Sequence, residues 1–148
     1  MANIRQGKFK PKNIQKYKGD PTNIIYRSGW ELKLMNRLDD DPGVIQWSSE
    51  EVIIPYRSPV DNRIHRYFVD FWIKNANGDV FLVEVKPHKQ TLEPKKQKSK
   101  SKKYLTEVMT WGVNSAKWKA AREFCEDRKW KFVIMTENRS EEHTSELQ

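Results

Sequence analysis

Asp70 and the triplet Glu84-Val85-Lys86 would put two carboxylates and an ammonium within reach of one another, provided the segments carrying them are neighbouring strands. Magnesium is a hard cation that prefers oxygen ligands and keeps several waters, and it is commonly held by one or two carboxylates plus the phosphate oxygens of a substrate. A metal at a phosphodiester polarises the phosphoryl oxygen and lowers the pKa of its bound water. A nearby ammonium orients that water or offsets charge in the transition state. The residue types therefore point to metal-dependent phosphodiester cleavage. Acids and lysines near strand ends that are solvated or paired with one another give the same triplet with no chemistry attached.

The elements that must position these groups are readable from side-chain pattern. Residues 66–73 are rich in aromatic and β-branched types and read as one strand, with Asp70 between Phe68 and Trp72. The polar, glycine-containing stretch 75–79 ends that strand in a turn, and residues 80–86 return as the second arm of a hairpin. Alternation places Val80, Leu82, Glu84 and Lys86 on one face and Phe81, Val83 and Val85 on the other. A hairpin folded about Asn77-Gly78 brings Asp70 near the level of Glu84 to Lys86.

A third acid, Glu31, falls in a predicted helix over 28–38 that begins at Ser28 and is stopped by the cluster 39–43. Leu34, Met35 and Leu38 follow it at helical spacing, so Glu31 lies on the apolar stripe, where an unpaired carboxylate is costly to desolvate. Ser28 and Glu31 also have the spacing of a capping box, in which the Glu31 carboxylate returns to the Ser28 amide. The two roles are compatible in a half-buried acid at the first turn.

With 148 residues, six Trp, six Phe and five Tyr, the chain can bury one core, and one domain is expected. No apolar run approaches membrane-spanning length and no signal peptide is evident. The single cysteine, Cys125, excludes an intramolecular disulfide framework and fits a reducing, cytoplasmic setting. It shares one side of a predicted helix with Trp118, Ala121 and Arg122 and reads as a small core residue. His65 and His88 have no partners at zinc spacing.

The formal charge of +8 is concentrated in two places. Between Lys86 and Lys103 there are eight lysines and one acid, Glu93, in a context of Gln, Ser, Thr and Pro that would not support a core. An exposed loop or a mobile arm is expected there. Its Lys89, Lys95, Lys96, Lys98, Lys100, Lys102 and Lys103 are suited to neutralising phosphates through a salt-sensitive, sequence-independent term. A solvated basic loop is the plain alternative. Arg5, Lys8, Lys10, Lys12, Lys16 and Lys18 form a second acid-free segment, an N-terminal arm over 1–19 that Phe9 and Tyr17 could anchor.

Strands over 52–56 and 130–136, a turn at 59–62, and two helices over 104–111 and 116–128, the latter begun by Asn114 or Ser115, complete the reading. The order is helix, three-stranded meander, helix, strand. A helix leading to a last parallel strand implies a mixed sheet, so the expected fold is α/β with a restriction-endonuclease-like core.

Several runs carry a resemblance. Residues 20–31 (DPTNIIYRSGWE), 47–51 (WSSEE), 54–59 (IPYRSP), 65–71 (HRYFVDF) and 84–87 (EVKP) resemble the head completion proteins of large contractile-tailed bacteriophages. Residues 118–124 (WKAAREF) and 132–137 (FVIMTE) extend the likeness, which spans about residue 10 to residue 138. That family is similar to the TnsA-type transposase endonucleases, within the nucleases that carry a D…(D/E)xK motif. Val69 departs from the broader group, where proline often precedes the aspartate.

The resemblance implies a catalytic set of Glu31, Asp70, Glu84 and Lys86. It further implies Mg2+, or Mn2+ in its place, held by Asp70, Glu84, the backbone carbonyl of Val85 and Glu31. Duplex DNA and phage portal or neck proteins are the implied partners, with a homodimer suited to cutting both strands in one encounter. The implied task is trimming packaged DNA ends at the portal during virion assembly, in the host cytoplasm or at the head–neck region. A non-catalytic DNA-binding plug of the head fits the same basic segments.

Residues 139–148 (RSEEHTSELQ) resemble the in-frame translation of a sequencing-library adapter. They are set apart from the nuclease-like domain, read as 20–138, and are expected to be disordered. Without them the chain has 27 basic and 17 acidic residues, a net charge of +10.

Overall fold

The computed structural model describes residues 6–137; the expected adapter-like tail and Arg5 of the basic arm lie outside the described residues. In chain order the elements are β1 (Gly7–Lys8), β2 (Ile25–Tyr26), α1 (Gly29–Asp40), β3 (Val44–Ser49), β4 (Ile53–Arg57), β5 (Ile64–Phe68), β6 (Phe71–Asn75), β7 (Val80–Val85), α2 (Lys102–Arg128) and β8 (Lys131–Met135). A short 3-10 turn, Ile14–Lys16, precedes β2, and another, His88–Thr91, follows β7.

The central sheet has the strand order β3-β6-β7-β8. β6 runs antiparallel to both β3 and β7, while β8 is parallel to β7. The expected mixed α/β organisation is therefore present. The hairpin between β6 and β7 closes where polarity and glycine place it. The Asn75 amide donates to the Asp79 carbonyl at 2.9 Å, and the Gly78 amide donates to Asn75 at 3.0 Å. Gly78 takes φ +92°, a conformation glycine enters without steric cost.

Alternation along β6 and β7 splits the apolar residues between two cores. On one face Phe71, Ile73, Phe81 and Val83 meet Leu34, Met35 and Leu38 of α1 together with Trp47. On the other, Trp72 and Leu82 meet Trp118, Ala121 and Cys125 of α2, with Ile54, Tyr56 and Tyr67 from β4 and β5. The sheet thus lies between α1 and a second layer built from α2 and the β4–β5 ribbon. Burial pushes the Cys125 thiol up to about 11, which suits packing and works against a nucleophilic role. Arg122, placed beside it by helical spacing, is instead exposed.

Three expectations require correction. The aromatic run 66–73 is two strands, because β5 pairs with β4 in a separate ribbon whereas β6 pairs with β3 and β7. The chain changes sheets at Val69-Asp70, so Asp70 occupies the break. Likewise, the strand expected at 52–56 lies in that ribbon, and its place in the central meander is taken by β3, whose polar Gln46, Ser48 and Ser49 weaken its sequence signal. Finally, the two helices are one, since α2 runs unbroken from its Ser101 cap. Gly112 to Ser115 are poor helix formers, but Val113 and Ala116 pack beside Trp118 and Trp111, and that packing overrides local propensity.

The basic N-terminal segment is strapped to the body. Phe9 and Tyr17 are buried edge-on against Trp47, with ring centroids 5.7 and 4.8 Å away. Such pairs add about 0.5–1.5 kcal/mol each beyond burial. Lys16 Nζ donates to the carbonyls of Leu38, Asp39 and Asp41 at 2.7–2.9 Å, completing the C-terminus of α1, where backbone acceptors are otherwise left over. The acid cluster 39–43 is correspondingly less of a stop than expected. α1 continues through Asp40, and buried Asp39 accepts from the amides of Lys12 and Asn13.

Candidate active site

The register Phe71↔Val83 sets Asp70 opposite Glu84, at the end of the sheet where β6 begins and β7 finishes. β6 supplies no residue to pair with Val85, and the Asp70 side chain fills the gap: Val85 N–H donates to Asp70 Oδ2 at 2.7 Å. An amide that a strand end would leave without an acceptor thereby fixes the aspartate. One residue back along β7, Glu84 turns to the opposite face and is buried.

Glu84 has two partners. The Tyr67 hydroxyl donates to Oε1 at 2.7 Å, and Lys86 Nζ lies 3.4 Å from Oε2. Glu84 and Lys86 share a face, as strand alternation requires. Burial of the Tyr67 phenol and the adjacent Glu84 charge hold its pKa far above the ordinary value, so it remains a donor. The Asp70 carboxyl is pushed up to about 8, first by burial and then by Glu84, against the opposing pull of the Val85 amide. The poorly solvated site does not stabilise two carboxylate charges side by side, so Asp70 keeps its proton, and a bound cation would favour its ionised form.

Glu31, in the first turn of α1, lies near enough for its charge to act on Asp70 and Glu84. Ser28 Oγ accepts from the Glu31 amide at 3.1 Å, so the cap forms. The return bond is displaced by one residue, because Glu31 Oε1 accepts from the Arg27 amide at 2.9 Å rather than from Ser28. Half-burial raises the Glu31 pKa, the Arg27 amide opposes that shift, and the charges of Glu50 and Glu84 reinforce it. Capping and proximity to the other acids thus coexist in one side chain.

Residue-by-residue pattern missed three neighbours. By pattern Tyr67 reads only as a strand aromatic. Arg27 grips Glu50 through Nε and Nη2 at 3.3 and 3.1 Å, and its raised pKa reflects Glu50 first, then Glu31 and Asp70. Glu50 holds φ +56°, and its amide donates to the Asp70 carbonyl at 3.1 Å. A left-handed glutamate is unusual for a residue with a side chain. The pairing of Ser49-Glu50 with the Asp70 break is long-range, so no local signal announces it.

The seven lysines expected to bind DNA are all exposed. Lys89 sits on the 3-10 turn just after Lys86-Pro87. Lys95, Lys96, Lys98 and Lys100 lie on the irregular segment that follows, and Lys102 and Lys103 are in the first turn of α2. That turn contains no acid. Two ammonium groups at the positive end of a 27-residue helix are electrostatically unfavourable without an external anion.

The donor set fits a hard divalent ion. Among the described residues no three His, Cys, Asp or Glu side chains converge closely enough to hold an ion alone. Two carboxylates, with waters and phosphate oxygens completing the shell, are a usual complement for magnesium, whereas a structural zinc site needs four protein ligands. No helix among the described residues is long and apolar enough to cross a membrane.

Comparison with known proteins gives two matches. Residues 41–137 match the family model described as the TnsA-like endonuclease N-terminal domain. This stretch contains Asp70, Glu84 and Lys86 and begins after Glu31. The chain is also similar to the head completion nuclease of Enterobacteria phage T4, with 44% identity over 136 residues, covering 89% of this chain and 91% of that protein.

Proposed function

The chain belongs to the TnsA-like endonuclease N-terminal family, and on that premise we propose that it is a divalent-metal-dependent DNA endonuclease of phage head completion, acting on packaged DNA ends at the portal. The observation that carries this reading is the convergence of Asp70, Glu84 and Lys86 at one end of the central sheet. The sheet with its flanking helices is read as a restriction-endonuclease-like core, and the domain as residues 20–138 with 1–19 as its basic strap.

Asp70 and Glu84 would hold Mg2+ or Mn2+, with the Val85 carbonyl as a further donor. When bound, the ion supplies charge to the phosphoryl oxygen and acidifies a coordinated water. The chain's own groups do the rest. The Val85 amide keeps Asp70 turned to the site. Lys86, held beside Glu84, orients the attacking water or offsets charge on the reacting phosphate. Glu31, in the first turn of α1, acts through a second metal or through the water shell. The lysines from Lys89 to Lys103 hold the duplex by phosphate contacts, a term indifferent to sequence. Portal or neck proteins would bring the enzyme to its DNA end during assembly, in the host cytoplasm or at the head–neck region. Pairing of two copies would permit a double-strand cut.

One observation favours a second reading, a DNA-binding structural plug: Glu84 and Lys86 already form an ion pair. Incubating supercoiled and linear duplex with the wild type, Asp70→Asn, Glu84→Gln and Lys86→Met, with and without Mg2+, separates the two. The nuclease reading expects Mg2+-dependent cutting that falls by at least about a hundredfold in each variant. DNA binding without cutting by any form, at several salt concentrations, would establish the plug.

A further inference from the structure

Glu84 is not free to present both oxygens to a cation. Its Oε1 accepts a 2.7 Å bond from the Tyr67 hydroxyl inside the protein, and its Oε2 faces Lys86. Tyr67 cannot readily withdraw. The residue is 3% exposed and packed in the second core, its backbone is paired with Ile54 in the ribbon, and Lys117 Nζ lies 5.5 Å from the ring centroid.

We propose that Tyr67 is a positioning residue that reserves one oxygen of Glu84, leaves the other for the metal, and so biases the site toward Mg2+ and Mn2+ against Ca2+. This rests on the metal-site reading above and adds an ion preference to it. Calcium takes more oxygens at longer range and accepts carboxylates in bidentate fashion, whereas magnesium demands compact octahedral geometry. A bidentate Glu84 would have to break the Tyr67 bond and leave a buried hydroxyl without a partner. A carboxylate committed on one side is already arranged as a single-oxygen ligand, and partners of this kind tune metal affinity by orienting the ligand.

The test is calorimetric titration of the metal-free protein, without DNA, with MgCl2, MnCl2 and CaCl2. Tyr67→Phe removes the hydroxyl and keeps the ring. We expect its Mg2+ and Mn2+ affinities to fall at least about tenfold while Ca2+ binding holds or strengthens, so that the preference for magnesium collapses. Tyr56→Phe, which deletes a hydroxyl from the same inner face of the ribbon away from Glu84, should leave the preference intact. In a double-mutant cycle, Tyr67→Phe should add nothing to the ion preference once Glu84→Gln is present.

An unchanged Mg2+-to-Ca2+ ratio in a Tyr67→Phe protein of native melting temperature would overturn the proposal. So would an equal shift in Tyr56→Phe, independent effects in the cycle, or a wild type that binds no divalent ion. A wild type that shows the expected ratio and cuts no DNA would defeat the nuclease reading and leave the role of Tyr67 standing.

Discussion

Val85 and Asp70 are joined by a 2.7 Å hydrogen bond from the main-chain amide of one to Oδ2 of the other. The same triplet therefore contributes its two outer side chains to the site and uses its central backbone to hold the opposing aspartate. This locks the spacing between the acids to the geometry of strand β7.

The raised Asp70 pKa makes metal-free stability depend on pH in an unusual direction. The carboxyl ionises near 3.8 when unfolded and at about 8 when folded, so the native state holds the proton more tightly. Its contribution is complete below pH 4 and is lost as pH rises toward 8. Melting temperatures of the metal-free protein should accordingly show a falling component over that window, and Mg2+ should reverse it by favouring the ionised form. Asp70→Asn should raise the metal-free melting temperature at pH 7.5 by about 5 °C while abolishing the Mg2+ effect. A metal-free wild type that gains stability through this range relative to Asp70→Asn would contradict the assignment.

Glu50 stands in the left-handed region at φ +56° while its side chain pairs with the exposed Arg27. Glu50→Ala and Glu50→Gly both lose that pair, but only glycine relaxes the backbone. The glycine variant should be more stable than the alanine variant by about 1 kcal/mol in urea denaturation. Equal midpoints would show that the backbone at residue 50 carries no strain.

Asp39 is 2% exposed and accepts from the Lys12 and Asn13 amides at 2.8 and 3.3 Å. Asp39→Ala strands both donors, at a cost of about 2–3 kcal/mol. It should also open residues 6–18 to limited proteolysis before the rest of the domain. Native resistance in that segment would mean that Phe9 and Tyr17 hold it without the aspartate.

Replacing Lys89, Lys95, Lys96 and Lys98 by Gln should weaken binding of duplexes of unrelated sequence alike. The slope of log affinity against log salt should shrink by as much as about 3.6 if all four meet phosphates. Turnover of DNA bound at saturating concentration should change little. An unchanged slope in fluorescence anisotropy titrations would remove these lysines from the DNA path.

What the chain's order of residues determined by itself is local in origin. Strand alternation put Glu84 and Lys86 on one face, the Asn77-Gly78 turn set the level of Asp70, and the Ser28 cap started α1 with Glu31 in its first turn. Each depends on a repeat or a cap spanning a few residues, and each is present in the fold. Tertiary structure decided the remainder. Whether residues 66–73 form one strand or two depends on which distant strands they pair with, and Gly112 to Ser115 remain helical because α2 packs on the sheet. Arg27 and Glu50 lie 23 residues apart in sequence, and Tyr67 and Glu84 lie 17 apart. No short-range pattern encodes either pair, since both depend on where separate strands end in space.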